Sequence, residues 1–403
     1  MSRPAFSTQA ELFSTAGLSC NLFAPTDRYR LFAQIVYPAV VAARGQLEKC
    51  YCVENGRGAV EPVLLLGVSL LQYLDGLPDR QAVEMLRYHA GWNFALNRQL
   101  GDELFHPTTL VNFRLRLLEH EQSALGFKAI LDALAEAGLV SRQSRQRLEH
   151  VGYKVPVAET VTQAELEPGE PATNFRTGIV THAAYQSDEA GAEKMATEQA
   201  EMGLEKPPVE YVDGAYVSAE KLAEAQAEGR RLVGPAACAP HNNGGRYTTE
   251  DFDLRGEERK ALCPAGQENT QCSRWEEQAT GKVTYRFEWS THCAGCPLRE
   301  RCVGPEQRHR TLVVGQHHRL LQERRREQKT QAFAQEMRHR NAIEGTQSEL
   351  VRAHGIRRAR YRGLAKARLQ NYMAAAACNV KRWIRRNVWE LSQAAMRTAP
   401  VGS

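Results

Sequence analysis

The chain has no run of about eighteen or more apolar residues, the length a helix needs to cross a bilayer. A membrane-spanning protein is therefore not expected. Nor does the sequence open with a basic stretch followed by an apolar core, so no secretory signal is read and a cytoplasmic location is expected. Without export, the 10 cysteines are expected as thiols or metal ligands rather than disulfides. Two further absences are local. No acidic residue occurs between Arg352 and Arg386, and Ser141 to His150 contains neither an aspartate nor an apolar stretch that reads as a strand.

A chain of 403 residues is long enough to bury a substantial core and suggests two or three domains. Its formal charge of +5 is modest, but the cations gather late. The acid-free block holds Arg352, Arg357, Arg358, Arg360, Arg362, Lys366, Arg368, Lys381, Arg382, Arg385 and Arg386. That one-sided pattern is the footprint expected for a phosphate backbone. The plainer alternative, a solvated helix surface, would here repel itself.

Just before this block stands Glu344. Arg340 and Glu344 are four residues apart, and on one helix they share a face with Ser348 and Arg352. A second acid, Asp213, follows Val209, Tyr211 and Val212, which read as a short buried strand. Gly214 then permits a sharp turn, and Ser218 is placed to cap the next helix. Asp213 thus falls at the carboxyl end of a strand, where ligand sites of open α/β sheets gather, although an aspartate there is more often a turn former.

Tyr29 to Leu139 reads as helical throughout. Val63 to Leu74 is apolar on nearly every side and is expected as a buried central helix ended by Asp75-Gly76. Pro78-Asp79 opens the next helix, and Pro107 the helix Leu110 to Glu119, in which Arg114 and Arg116 are interleaved with apolar residues. Short helices with interleaved arginines suit a helix-turn-helix DNA reader and equally a plain helical bundle. Beyond them, Val151 to Val161 and Phe175 to Tyr185 are strand candidates, Glu189 to Met202 a helix, and Gly229 to Pro235 a further short strand. A single long charged helix is expected from His317 to Asn341, and a last helix from Leu369 to Trp383.

Residues 240–312 interrupt this pattern with their own chemistry. Cys293-Ala-Gly-Cys296 is a Cys-x-x-Cys knuckle, Cys302 follows, and Cys263 precedes Pro264-Ala-Gly. These four suit a structural zinc site, since four thiolates leave no open position for water. Unliganded thiols and a redox dithiol are the alternatives; Cys272 is a spare and His292 a rival ligand.

Together the Asp213 and Glu344 stretches resemble the DDE transposases of bacterial insertion sequences. In that family a strand ending in Asp-(Ala/Gly)-(Ala/Gly)-Tyr supplies the second catalytic acid. A helix carrying Arg-x-x-x-Glu, followed by a basic segment, supplies the third. The resemblance assigns these roles to Asp213 and Glu344, with Arg340 as the motif arginine. The family's tyrosine three residues before that arginine is Met337 here, and its lysine seven after the glutamate falls on Val351, leaving Arg352 as the nearest cation. The closest likeness is to the subgroup with a helical amino-terminal domain and a cysteine-bearing insertion, and it covers roughly Arg28 to Arg386.

The resemblance implies an α+β chain: a helical amino-terminal domain, then a ribonuclease-H-like domain interrupted by a cysteine-rich lobe. The implied divisions are an irregular lead-in at 1–27, a DNA-binding or dimerisation domain at 28–139, and a catalytic-type domain at 140–239 and 313–392. The cysteine lobe spans 240–312 and a tail 393–403. It further implies Mg²⁺ or Mn²⁺ held by Asp213 and Glu344, contacts to DNA from Arg352, Arg357, Arg358, Arg360, Arg362, Lys366 and Arg368, and a homodimer on transposon ends and target DNA in the bacterial nucleoid. The first catalytic aspartate and its strand are missing from the stretch before Val151; Glu149, Asp188 and Asp132 are the only nearby acids. The expected function is metal-dependent strand cleavage and transfer. The alternatives are an internally deleted remnant that only binds DNA, or a zinc-stabilised interaction protein without nucleic acid.

Overall fold

The computed structural model describes residues 20–52, 58–99, 102–141, 155–161, 169–171, 174–183, 186–238, 245–278, 281–361 and 363–398, and the backbone of 146–150. In chain order the main helices of the first third are α1 (Pro62–Asp75), α2 (Asp79–Tyr88), α3 (Thr108–Glu119) and α4 (Leu125–Glu136). Then come β1 (Gln146–His150), β2 (Pro156–Thr160), β3 (Arg176–Ile179), α5 (Asp188–Glu201), β4 (Val209–Tyr211), α6 (Ala219–Ala227) and β5 (Arg231–Val233). Five short strands follow, β6 (Asp253–Arg255), β7 (Lys260–Leu262), β8 (Gln271–Glu276), β9 (Val283–Glu288) and β10 (Thr311–Gly315). The chain closes with α7 (His318–Glu327), α8 (Gln331–Glu336), α9 (Arg338–Asn341), α10 (Ile343–Arg352) and α11 (Leu364–Thr398). It divides into two compact units, one of residues 1–207 with 342–403 and the other of residues 208–341. Among the described residues no helix is long and apolar enough to cross a membrane.

The first unit is built around α1 and α11. Nearly every side chain of α1 is buried, as its unbroken apolar run requires, and Gly76 ends it in the left-handed conformation at φ 67°. The carboxyl-terminal helix is longer than its sequence suggests. Ala374 to Ala377 are all fully buried, and these small side chains let α11 lie close against α1, α4 and β3. Pro107 sits just before α3 and Ser187 caps α5 through the Ala190 amide at 3.2 Å. Asp188 accordingly opens α5, and Asp132 is exposed on α4 beside Lys128 at 3.1 Å.

One departure concerns the missing strand. A strand does form at Gln146–His150, antiparallel to β2 with Gln146 opposite Thr160 and Glu149 opposite Val157. Backbone pairing creates it: β2 is buried at every position, and its ladder takes up a partner whose sequence carries no apolar alternation. β1 contains no aspartate, so the first acid of the family pattern is still absent from it, but Glu149 now stands on a strand. β2 pairs antiparallel with β3, giving a three-stranded meander. The residues of the strand candidates at 151–154 and 184–185 lie outside the described residues.

In the second unit β4 and β5 run parallel, joined by α6, which Ser218 caps through the Lys221 amide at 3.2 Å. β8, β9 and β10 form an antiparallel sheet over a separate apolar cluster that includes Phe252, Phe287 and Trp289. The single long helix expected before Glu344 is broken into α7, α8 and α9. Thr330 is the cause of the first break: its hydroxyl accepts from the Phe333 amide at 3.2 Å and starts a new helix. The second expectation to fail is a helix shared by Arg340 and Glu344. α9 ends at Asn341 and α10 begins at Ile343, so Ser348 and Arg352 share Glu344's helix but Arg340 does not. At Ala342 the backbone stays right-handed (φ −63°, ψ −17°) while the ladder of helical hydrogen bonds lapses.

Candidate functional site

Asp213 sits where the sequence places it, just past the carboxyl end of β4. Its carboxylate accepts from the Gly214 amide at 2.6 Å and so opens a 3₁₀ turn over Gly214–Tyr216. The chain is tight here. A side chain at Gly234 would meet Val212 and Val217 at 2.8 Å, which is why glycine follows β5 beside this turn. Arg340 Nη2 stands 3.4 Å from Asp213 Oδ2, joining two of the three predicted residues within one unit. Asp213 keeps 54 % of its side chain exposed against 15 % for Arg340, so the carboxylate faces solvent while the guanidinium backs it. An exposed, hard oxygen donor of this kind fits a divalent cation.

The local scaffold comes from arginines in the stretch that the sequence marks only as a charged helix. Arg324, nearly buried in the run Arg324-Arg325-Arg326, donates to the carbonyls of Leu232 at 2.7 Å and Gly234 at 2.9 Å. Arg325 donates to Ala237 O at 2.9 Å, and Gln328 accepts from the Ala236 amide at 2.9 Å. α7 thereby clamps the segment leaving β5. Its charged sequence gives no sign that the charge turns inward.

Glu344 lies exposed in the first turn of α10, in the other unit. The helix beneath it is held by a buried ion network that the sequence did not disclose. Glu159 of β2 and Arg176 of β3 are both fully buried and 3.0 Å apart. Glu159 also accepts from Thr346 Oγ1 at 3.1 Å and pairs with Arg382, while Arg176 donates to Thr346 O at 3.1 Å. One turn on, Glu349 pairs with Arg382 at 2.9 Å and Lys381 at 3.2 Å. Burial by itself would raise the Glu349 carboxyl, but the Arg382 guanidinium overrides it and holds the group down at about 2. Asn379 closes the network, exchanging both backbone hydrogen bonds of Arg176 at 2.8 and 3.0 Å.

Glu349, His354 and Cys378 also bring their ligand atoms within 4.8 Å of one another. They make a poor cation site, because the Glu349 carboxylate is already engaged by Arg382 and Lys381, and Arg176 lies 3.9 Å away. Burial pushes the His354 imidazole down to about 4, which leaves it neutral against Tyr73 O at 3.4 Å.

Of the predicted DNA contacts, Arg352, Arg357, Arg358, Arg360 and Lys366 are exposed. Arg368 is half-buried and committed to Glu198 at 2.7 Å and the Tyr372 hydroxyl at 3.1 Å, and Arg362 lies outside the described residues. Of the two arginines of α3, Arg114 is buried and grips Asp79, with Nη1 3.0 Å from Oδ1, so it faces the core rather than a groove of DNA. Arg116 lies over the Tyr51 ring at 4.7 Å.

Cys263, Cys293, Cys296 and Cys302 all line one cavity of about 20 Å³ together with His292, while Cys272 is absent from that lining. The cavity is the size of a single ion or water. Burial raises the Cys302 thiol to about 11, and the Arg310 amide donates to Cys293 Sγ at 3.5 Å. The nine cysteines whose surroundings are described are all free thiols.

A transposase DDE domain matches residues 262–384, a span that holds the four cysteines, Arg340, Glu344 and the arginine block as far as Arg382. A second transposase domain matches residues 20–116, the helical region built on α1 to α3. The two matches together cover more than half of the 403 residues. The chain belongs to the DDE transposases. Asp213 lies upstream of the DDE match. No curated protein matches the chain.

Proposed function

We propose that this transposase binds the DNA ends of an insertion sequence and carries out strand cleavage and strand transfer with Mg²⁺ or Mn²⁺. The observation that carries this is Asp213 held at the end of a parallel strand with Arg340 behind it, in a chain whose DDE match includes Glu344. Asp213 and Glu344 would supply the oxygen ligands, and the metal would activate the nucleophile and stabilise the leaving oxygen. In hydrolysis water displaces the 3′-oxygen of the element end, freeing a 3′-hydroxyl. In transfer that hydroxyl displaces the 3′-oxygen of a target phosphodiester. Arg340 orients Asp213 or a phosphate, and the exposed Arg352, Arg357, Arg358, Arg360 and Lys366 line the path of the flanking strand.

The order meander, helix, strand, helix, parallel strand supports a ribonuclease-H-like catalytic-type domain of residues 140–239 and 313–392, with 28–139 as the DNA-binding or dimerisation part and 240–312 as a cysteine lobe. A homodimer on DNA in the nucleoid and a structural Zn²⁺ at Cys263, Cys293, Cys296 and Cys302 belong to the same proposal. A second reading, a DNA-binding remnant without chemistry, is favoured by one observation: β1 carries no aspartate. Cleavage of a labelled element end in Mg²⁺ or Mn²⁺, lost in Asp213→Ala and Glu344→Ala, is the expected result for the enzyme, with Glu149 and Asp188 the next acids to replace. Salt-sensitive binding without cleavage would select the remnant.

A further inference from the structure

The arginine-bearing segment after α10 is held from within by one buried amide. Gln370, on α11 and 2 % exposed, accepts from the Arg360 amide at 2.8 Å through Oε1 and donates through Nε2 to Arg358 O at 2.9 Å. A single side chain thus satisfies the backbone on both sides of Ala359. The rest of the segment is fixed as well. Gly355, at φ 62°, turns the chain off α10, and the buried Ile356 returns its amide to Leu350 O at 3.2 Å. The Arg360 guanidinium rests over the Tyr73 ring at 5.4 Å, and Arg114 over Tyr361 at 5.5 Å. Arg357, Arg358 and Arg360 nevertheless stay exposed. A fixed backbone thus carries exposed cations.

We infer that Gln370 is a positioning residue that pre-organises the Arg357, Arg358 and Arg360 segment for the phosphate backbone of DNA. The inference rests on the DNA-binding reading above. A loop ordered before binding loses less conformational entropy on contact, so the gain appears in affinity. It does not appear in the number of phosphates neutralised, because Gln370 carries no charge.

The test is binding of a labelled duplex across a salt series. Gln370→Ala is expected to weaken binding about tenfold at fixed salt while leaving the salt slope unchanged. Arg357→Ala should instead lower the slope by about 0.9. Equal affinity of Gln370→Ala and the unaltered chain would overturn the inference, and so would a reduced slope in Gln370→Ala, which marks a direct contact. Absence of salt-dependent binding by the unaltered chain would overturn the DNA-binding reading itself. Should Gln370→Ala not fold, hydrogen exchange on the unaltered chain decides: amides of 353–361 are expected to be protected without DNA and little changed with it. Protection gained only on adding DNA would overturn the inference.

Discussion

One carboxylate oxygen of Glu349 accepts from both Nε and Nη2 of Arg382, at 3.0 and 2.9 Å. The pair joins α10 to α11, and with Thr346 it secures the helix whose first turn presents Glu344. Its consequence is a defined acid sensitivity. The Glu349 carboxyl is lowered from 4.5 to about 2 on folding, so its contribution is complete above 4.5 and is lost as pH falls towards 2. Circular dichroism of unfolding against pH should show Glu349→Gln losing less stability over that interval than the unaltered chain. An equal loss would mean that other carboxylates govern it.

A milder window lies above it. Burial keeps His354 neutral by lowering it from 6.5 to about 4. The unfolded chain takes up that proton first, so stability falls as pH drops from 6.5 to 4. Replacing His354 by glutamine should flatten this part of the curve, read from urea midpoints at pH 7 and pH 5.

The Glu159 and Arg176 pair is fully buried on both sides. Removing either partner strips the other of one buried counter-charge, leaving Glu159 with Arg382 alone or Arg176 with the more distant Glu349, at a cost of up to about 3–5 kcal/mol. Glu159→Met and Arg176→Met are each expected to destabilise by that order. The double variant should cost less than the sum, because the Glu159–Arg176 interaction is lost in each single variant and can be lost only once. Urea unfolding measures all three, and strict additivity would refute the coupling.

Arg114 provides a different contrast. Arg114 is buried and grips the half-buried Asp79, so Arg114→Ala should lower the melting temperature. The salt slope of DNA binding should not change, since a buried arginine neutralises no phosphate. A slope reduced by about one unit would return α3 to the surface that reads DNA.

How far such features could be read in advance depended on whether backbone or side chains set them. α1 was visible because an all-round apolar run has one solution, burial, and Asp213 because a β-strand followed by Asp-Gly forces a turn. β1 was invisible: Gln146-Arg-Leu-Glu-His carries no apolar alternation, and only the neighbouring ladder draws it into the sheet. Glu159 and Arg176 were missed for a related reason. Each sits in a short strand of mixed sequence, and opposite charges on adjacent strands signal a pair only once the register, Glu159 against Arg176, is known. The arginines split in a way composition does not resolve. Arg324 and Arg382 turn inward to carbonyls and carboxylates, whereas Arg357 and Arg358 stay exposed.

The cysteine cavity yields the last prediction. Cys293 and Cys302 are each 7 % exposed and belong to the apolar cluster of Phe252, Phe287 and Trp289 under the β8 to β10 sheet. That cluster is small, and a cluster of this size gains much from a metal crosslink. Four thiolates would close around Zn²⁺ at about 2.3 Å, drawing the β7 turn at Cys263 onto the knuckle at Cys293 and Cys296. The protein as purified is expected to carry one zinc per chain by metal analysis. Cys293→Ser and Cys302→Ser should lose it and expose Trp289 to solvent, seen as a red shift in fluorescence. Cys272→Ser and His292→Ala should keep both the metal and the spectrum, because the first does not line the cavity and the second is needed only if three cysteines bind. Purification without zinc, with unchanged fluorescence in Cys302→Ser, would reduce the quartet to packed thiols.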